Sequence, residues 1–194
     1  MTAIKLTAPV ESIDFSTYDI HNTEVNLADY NGKAVILSFF RNTSCPFCLK
    51  RVFDLSVQQA RWRKIGVEII VVFTSQAEDV ISFHKNKFDR LRIIADPKLE
   101  LYNTYGVEKS ASGFFKGLAF KIPTIIQGVK RGGKIDTNNP HGSILPADFL
   151  INADGLIIDS WYGRNAADNI SMRRIHDFVK KMSIQNRKNA LKKQ

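Results

Sequence analysis

Cysteine is scarce in this chain: Cys45 and Cys48 are the only two among 194 residues. That count excludes a disulfide-stapled scaffold, and no second cysteine pair or closely spaced histidine pair could complete the four-ligand shell of a structural zinc. The four histidines, His21, His84, His141 and His176, are scattered, and their spacing forms no acid–base pair. Long hydrophobic runs are missing too. The longest, such as Ile69 to Phe73, are far too short to cross a membrane as a helix, and Met1 to Val10 lacks the apolar block of a signal peptide. No internal repeat is visible. These absences read together as a soluble cytosolic protein with no membrane partner. In a reducing compartment two close cysteines point to catalysis or metal binding more than to a structural staple.

Acid is absent from the last fifteen residues. Lys180 to Gln194 carries Lys180, Lys181, Arg187, Lys188, Lys192 and Lys193, which is six of the net +9 and leaves +3 for everything before it. Such a run reads as a solvated tail or a frayed helix end, and without stacking aromatics it gives single-stranded nucleic acid little to bind. The rest is 44% hydrophobic and 24% charged, ordinary for one globular domain with a buried core. We therefore expect a single domain over residues 1–182 and a basic tail over 183–194.

What is present has a clear rhythm. After a turn-rich start containing Pro9 and Asn31-Gly32, Val35 to Arg41 is an apolar run suited to a central strand covered on both faces. From Pro46 the period becomes helical, with Leu49, Val52, Phe53, Val57 and Ala60 on one stripe and Lys50, Arg51 and Asp54 mostly opposite, until Gly66. Val67 to Phe73 is a second strand, and Ser75 to Glu78 has the pattern of a capping box. The helix it opens would bury Ala77, Val80, Ile81, His84 and Phe88. Leu91 to Ala95 is a third strand, and Asp96-Pro97 opens a helix that Gly106 stops. Ser110 to Gly142 breaks the pattern. Its apolar middle reads either as packing over the core or as a lid or homodimer contact beside the cysteines. Ala147 to Asn152 and Leu156 to Trp161 flank Ala153-Asp154-Gly155 as a hairpin, and Asp168 or Ser171 caps a last helix. The sum is an α/β protein with a mixed central sheet flanked by helices.

The two cysteines fall at the junction of the first strand and its helix. A thiolate is the nucleophile, and a helix N-terminus with unpaired N–H groups lowers a thiol's pKa. Cys45 stands there if the helix starts at Pro46, a residue suited to a first turn. Cys48, three residues on, lies within reach of a disulfide. Attack by Cys45 and resolution by Cys48 follow.

The stretch Phe39-Phe40-Arg41-Asn42-Thr43-Ser44-Cys45-Pro46-Phe47-Cys48 resembles the active-site segment of the peroxiredoxin-like branch of the alkyl hydroperoxide reductase/thiol-specific antioxidant (AhpC/TSA) family. The similarity continues through Gly66 to Phe73, Asp96-Pro97 to Val107, Leu145 to Gly155, and Tyr162-Gly163-Arg164. It implies a thioredoxin-like fold of peroxiredoxin type, no cofactor, and thiol-dependent reduction of a peroxide or disulfide substrate. Cys45 would be the peroxidatic and Cys48 the resolving residue, with thioredoxin-like or glutathione-type thiols restoring the dithiol. Pro146 matches the proline, normally cis, that lies against the dithiol in thioredoxin-like proteins. The chain departs from the family at two points: Asn42 stands where a threonine is usual, and Pro146 stands near the place of a distant arginine. Donors to the peroxide would then come from Arg41, Thr43 or Ser44, with Arg164 a further candidate. Three classes stay open: a thiol peroxidase, a thiol–disulfide oxidoreductase, and a non-enzymatic redox-sensing module.

Overall fold

The computed structural model describes residues 4–84, 88, 91–110, 122–134 and 141–191. Six strands form one mixed sheet in the order β1-β8-β7-β4-β5-β6, with β1 Val10–Glu11, β4 Ala34–Phe39, β5 Val67–Phe73, β6 Arg92–Ala95, β7 Ala147–Ile151 and β8 Leu156–Tyr162. A small hairpin, β2 Ser16–Tyr18 and β3 Glu24–Asn26, stands apart from it. Strand β4 runs parallel to β5 and antiparallel to β7, so it is central, and every one of its residues is buried. Its alternation divides the core. Ala34, Ile36 and Phe40 face a layer containing Leu49, Val52 and Leu55 of α1 (Pro46–Arg63) and Ile175, Phe178 and Met182 of the last helix, α5 (Met172–Leu191). Val35, Leu37 and Phe39 face the opposite layer, built from Phe15, Val25, Leu27, Tyr102 and Tyr105.

The remaining helices are α2 (Ala77–His84), α3 (Glu100–Thr104) and α4 (Ile122–Lys130). Several expectations need correction. Helix α3 starts three residues after Pro97, because both Asp96 carboxylate oxygens accept backbone N–H groups of Glu100, Leu101 and Tyr102 instead of capping the next residues. Ile81, placed on the buried side of α2, is nearly half exposed, while Val80 is buried as expected. Ser171, and not Asp168, caps α5 through the Arg174 N–H, while Asp168 accepts from Arg164. The helix then runs on to Leu191, through most of the basic segment. Of the 110–142 segment, residues 111–121, with Phe114, Phe115, Leu118 and Phe120, and residues 135–140 lie outside the described residues, as do Lys192 and Lys193. Among the described residues no helix is long and apolar enough to cross a membrane.

The stripe on α1 is also rotated from the sequence reading. Phe53 and Val57 are 39% and 57% exposed, while Arg51 and Gln59 are buried. Arg51 is held by its guanidinium donating to Ile170 O at 2.7 Å and by the charge of Asp148 at 4.0 Å. Asp148 sits opposite Ser38 in the β4–β7 register, accepts from its hydroxyl at 2.7 Å and from Ile170 N at 2.9 Å. Burial pushes this carboxyl up, against the pull of Arg51 and the two donors. The unit ties α1, the central strands and the start of α5 together. Arg51→Met should lower stability by about 3 kcal/mol, because it leaves a buried carboxylate without its counter-charge. Urea unfolding with an unchanged slope is the measurement, and a loss within about 0.5 kcal/mol would refute the assignment.

Candidate active site

The site forms where β4 and β5 end, the carboxyl edge of parallel strands at which α/β sheets place their chemistry. Backbone bonds continue past the strands. Phe40 N donates to Val72 O at 2.9 Å, and Thr74 reaches Arg41 O with both its N–H at 2.9 Å and its hydroxyl at 3.1 Å. The fully buried Tyr102 hydroxyl lies between Phe40 O and Val72 O, to which it donates. Arg41 therefore leaves the sheet from a backbone held at four points, and its side chain is buried.

The guanidinium turns back onto the dithiol. Its Nη2 donates to Cys45 Sγ at 2.7 Å and its Nη1 to Gly142 O at 3.0 Å. Cys45 is the N-cap of α1, as expected, and its sulfur also accepts from Cys48 N at 3.5 Å, one turn into the helix. No disulfide joins the two cysteines, and both are almost wholly covered, at 3% and 4% exposure. Burial alone would raise the Cys45 pKa. The hydrogen bond from the Cys48 thiol, the Arg41 charge, the Cys48 N–H and the Arg41 hydrogen bond outweigh it and bring Cys45 down to about 6. Burial, then the hydrogen bond and charge of Cys45, push the Cys48 thiol well above its ordinary range. One thiol is thus ionised at neutral pH and its neighbour keeps a proton, which separates nucleophile from resolver.

The sign of the pH effect follows. The thiolate is the reactive form, so alkylation of Cys45 by iodoacetamide should climb tenfold per pH unit below about 6 and level off above about 7. A rate still rising steeply between pH 8 and 9 would contradict that assignment.

The other expected site residues are placed differently. Thr43 is buried, but its N–H donates to Ser75 Oγ at 3.1 Å and its hydroxyl lies 3.5 Å from the same oxygen. Ser75 consequently faces the active-site loop and does not close a capping box on α2. Ser44 contributes its carbonyl, which accepts from Lys134 N at 2.7 Å. Asn42 O accepts from Cys45 N at 3.3 Å. Pro146 does lie beside the dithiol, sharing a tight cleft with Phe40, Arg41, Cys48, Ala166 and Asn169. Its peptide is trans, however, against the expected cis; the cis peptide of the described residues is Ala8–Pro9. Arg164 is 84% exposed and pairs with Asp168 at 3.3 Å, turned to solvent. The sequence assigns Thr74, Ser75 and Gly142 no place in the site. The position of Thr74-Ser75 just past the end of a buried strand was the one available signal for the first two.

The AhpC/TSA family model matches residues 8–160, which is most of the chain. The chain belongs to the AhpC/TSA family. Among its curated relatives, it is 26% identical over 174 residues to the thiol-disulfide oxidoreductase ResA of Bacillus thuringiensis, covering 89% of this chain and 77% of that one. It is 25% identical over 140 residues to peroxiredoxin Bcp of Escherichia coli, covering 68% and 88%. Among solved structures, a peroxiredoxin-like protein from Aquifex aeolicus superposes with a TM-score of 0.65 at 12% identity, covering 93% of this chain and 90% of that one. The fold is thioredoxin-like, as the resemblance implied, and the protein is a thiol-based oxidoreductase. Within the AhpC/TSA family its relatives divide between peroxiredoxins and thiol–disulfide oxidoreductases.

Proposed function

We propose that this AhpC/TSA protein is a thiol peroxidase in which Cys45 attacks hydrogen peroxide or an alkyl hydroperoxide and Cys48 resolves the product. The observation that carries this reading is the buried Arg41 guanidinium donating to Cys45 Sγ at 2.7 Å. That cation stabilises the thiolate, and a guanidinium at hydrogen-bond distance from the sulfur has N–H groups to offer a peroxide oxygen developing negative charge. Cys45 thiolate attacks one peroxide oxygen, the O–O bond breaks, and Cys45 becomes a sulfenic acid while alkoxide leaves. The Cys48 thiol supplies the proton that converts alkoxide to alcohol. The resulting Cys48 thiolate attacks the Cys45 sulfur and expels hydroxide, closing a disulfide. An external dithiol of thioredoxin type, or two glutathione-type thiols, then supplies two electrons and two protons, leaves as a disulfide, and restores the pair.

A second reading, thiol–disulfide exchange on proteins, draws support from Pro146 lining the same cleft as Cys48. The discriminating experiment couples peroxide consumption to thioredoxin and its reductase and runs insulin reduction beside it. Rapid peroxide turnover with slow insulin reduction is expected. Ready insulin reduction with peroxide turnover no faster than a free thiol of the same pKa would select exchange.

A further inference from the structure

We infer that the groove between the C-terminal halves of α1 and α5 binds the anion of a long-chain fatty acid. The alkyl chain would lie on an apolar floor and the carboxylate among Arg61, Lys180 and Arg187. The site is separate from the dithiol. Helix α1 starts at Cys45, and Arg61 lies more than four turns along it, about 25 Å away. A molecule seated there is an accessory ligand and not a substrate of the thiolate.

Fixed contacts close the groove at both ends. At one end the His176 ring meets Trp62 edge-on, with ring centroids 5.5 Å apart. At the other, Asn186 Nδ2 donates to Ile65 O at 2.9 Å and fastens α5 to the turn that ends α1. Between these ties lies a cavity of about 440 Å³, within the range of small-molecule sites. Its lining on α5 runs from His176 to Arg187, about 16 Å of helix, which matches an extended chain of about a dozen carbons.

The floor is apolar. Trp62 and Val179 belong to the buried core yet border the groove, and Ile184 stands 47% exposed beside them. The charge is of one sign. Arg61, Lys180 and Arg187 line the groove and no carboxylate does. Asp177, the one acid on α5, lies outside the lining. Among the described residues none of the three cations makes an ion pair, whereas Arg63, two residues after Arg61, is paired with Glu68 at 3.0 Å. An apolar trough bordered by unpaired cations suits an amphiphile with one anionic head. Burial of the chain supplies the affinity, about fourfold for each methylene covered, and the cations select the sign of the head.

Trp62 reports on the site directly. The chain has two tryptophans, so Trp161→Phe leaves Trp62 as the sole emitter. Titration of the full chain with sodium dodecanoate, below its micelle concentration, should change Trp62 emission saturably with a midpoint of about 10–100 μM. Decanoate, two methylenes shorter, should bind about tenfold more weakly. Dodecyltrimethylammonium, with the same chain and the opposite charge, should bind at least about tenfold more weakly than dodecanoate. Replacing both arginines, Arg61→Gln with Arg187→Gln, should weaken dodecanoate about fivefold or more. Calorimetric titration of the unmodified chain yields the same constants and keeps the test if Trp161→Phe does not fold. A response that stays linear in dodecanoate, equal affinity for the cationic amphiphile, or unchanged affinity in the folded double variant would overturn the site. Co-sedimentation with phosphatidylglycerol vesicles separates the other source of anionic lipid. Vesicle binding without dodecanoate binding would assign the cations to a membrane surface and overturn the groove as a fatty-acid site.

Discussion

Cys45→Ser is expected to abolish both peroxide turnover and disulfide exchange, leaving no activity above buffer in either assay. The loss should be complete because the two chemistries begin with the same atom. A serine hydroxyl does not ionise near neutrality, and the donors that bring the Cys45 thiol down to about 6 cannot lower an alcohol far enough to matter. Cys48 cannot substitute, since burial and its neighbour hold its thiol well above the ordinary range. Its ionisation should become easier once Cys45 is gone, so a slow residual alkylation at Cys48 at high pH is expected. Full retention of either activity in the folded variant would mean that the dithiol is not the reactive centre.

Arg41→Ala should reduce the rate of Cys45 oxidation at pH 7 by about 10³, from two separable causes. The first is protonation. Without the Arg41 charge and hydrogen bond the Cys45 pKa rises toward its ordinary value, and because the Cys48 hydrogen bonds remain the thiolate fraction at pH 7 drops roughly tenfold. The second is loss of a donor to the peroxide oxygen in the transition state, worth about 10²–10³ where such donors have been removed. A pH profile divides them. Raising the pH to about 9.5 should restore the thiolate but leave a deficit of about 10². Complete rescue at high pH would assign Arg41 to thiolate stabilisation alone. Arg41→Lys should retain part of the charge effect and lose the fork that spans Cys45 Sγ and Gly142 O.

Much of this site was readable because it is local. The apolar run into Arg41, the proline after Cys45 and the helical period beyond it lie within about one strand and one helix, so the N-cap position of Cys45 follows from neighbours in sequence. The β7–β8 hairpin was readable for the same reason, since Asp154-Gly155 dictates the turn between its strands. What escaped depends on partners far along the chain. Ser75 carries the local pattern of a helix cap, but Thr43, 32 residues earlier, takes its hydroxyl. Arg51 falls on the solvent face by spacing, because nothing near it in sequence shows that Asp148 and Ile170 lie beneath α1. Phe53 and Val57 fit a buried stripe by spacing alone, whereas Phe53 is covered by Arg131, a residue far along the chain. The family pattern likewise suggested a cis Pro146, whereas the proline keeps its place beside Cys48 with a trans peptide.

The central claim is that Cys45 thiolate, held by Arg41, is oxidised directly by peroxide. It is tested by giving the Cys48→Ser variant one equivalent of hydrogen peroxide and following formation of the Cys45 sulfenic acid by rapid quench, dimedone trapping and mass spectrometry. Stoichiometric sulfenic acid at Cys45 is expected, formed at least about 10² faster than with a free thiol of the same pKa. A rate equal to that of the free thiol, or oxidation spread without preference for Cys45, would contradict it.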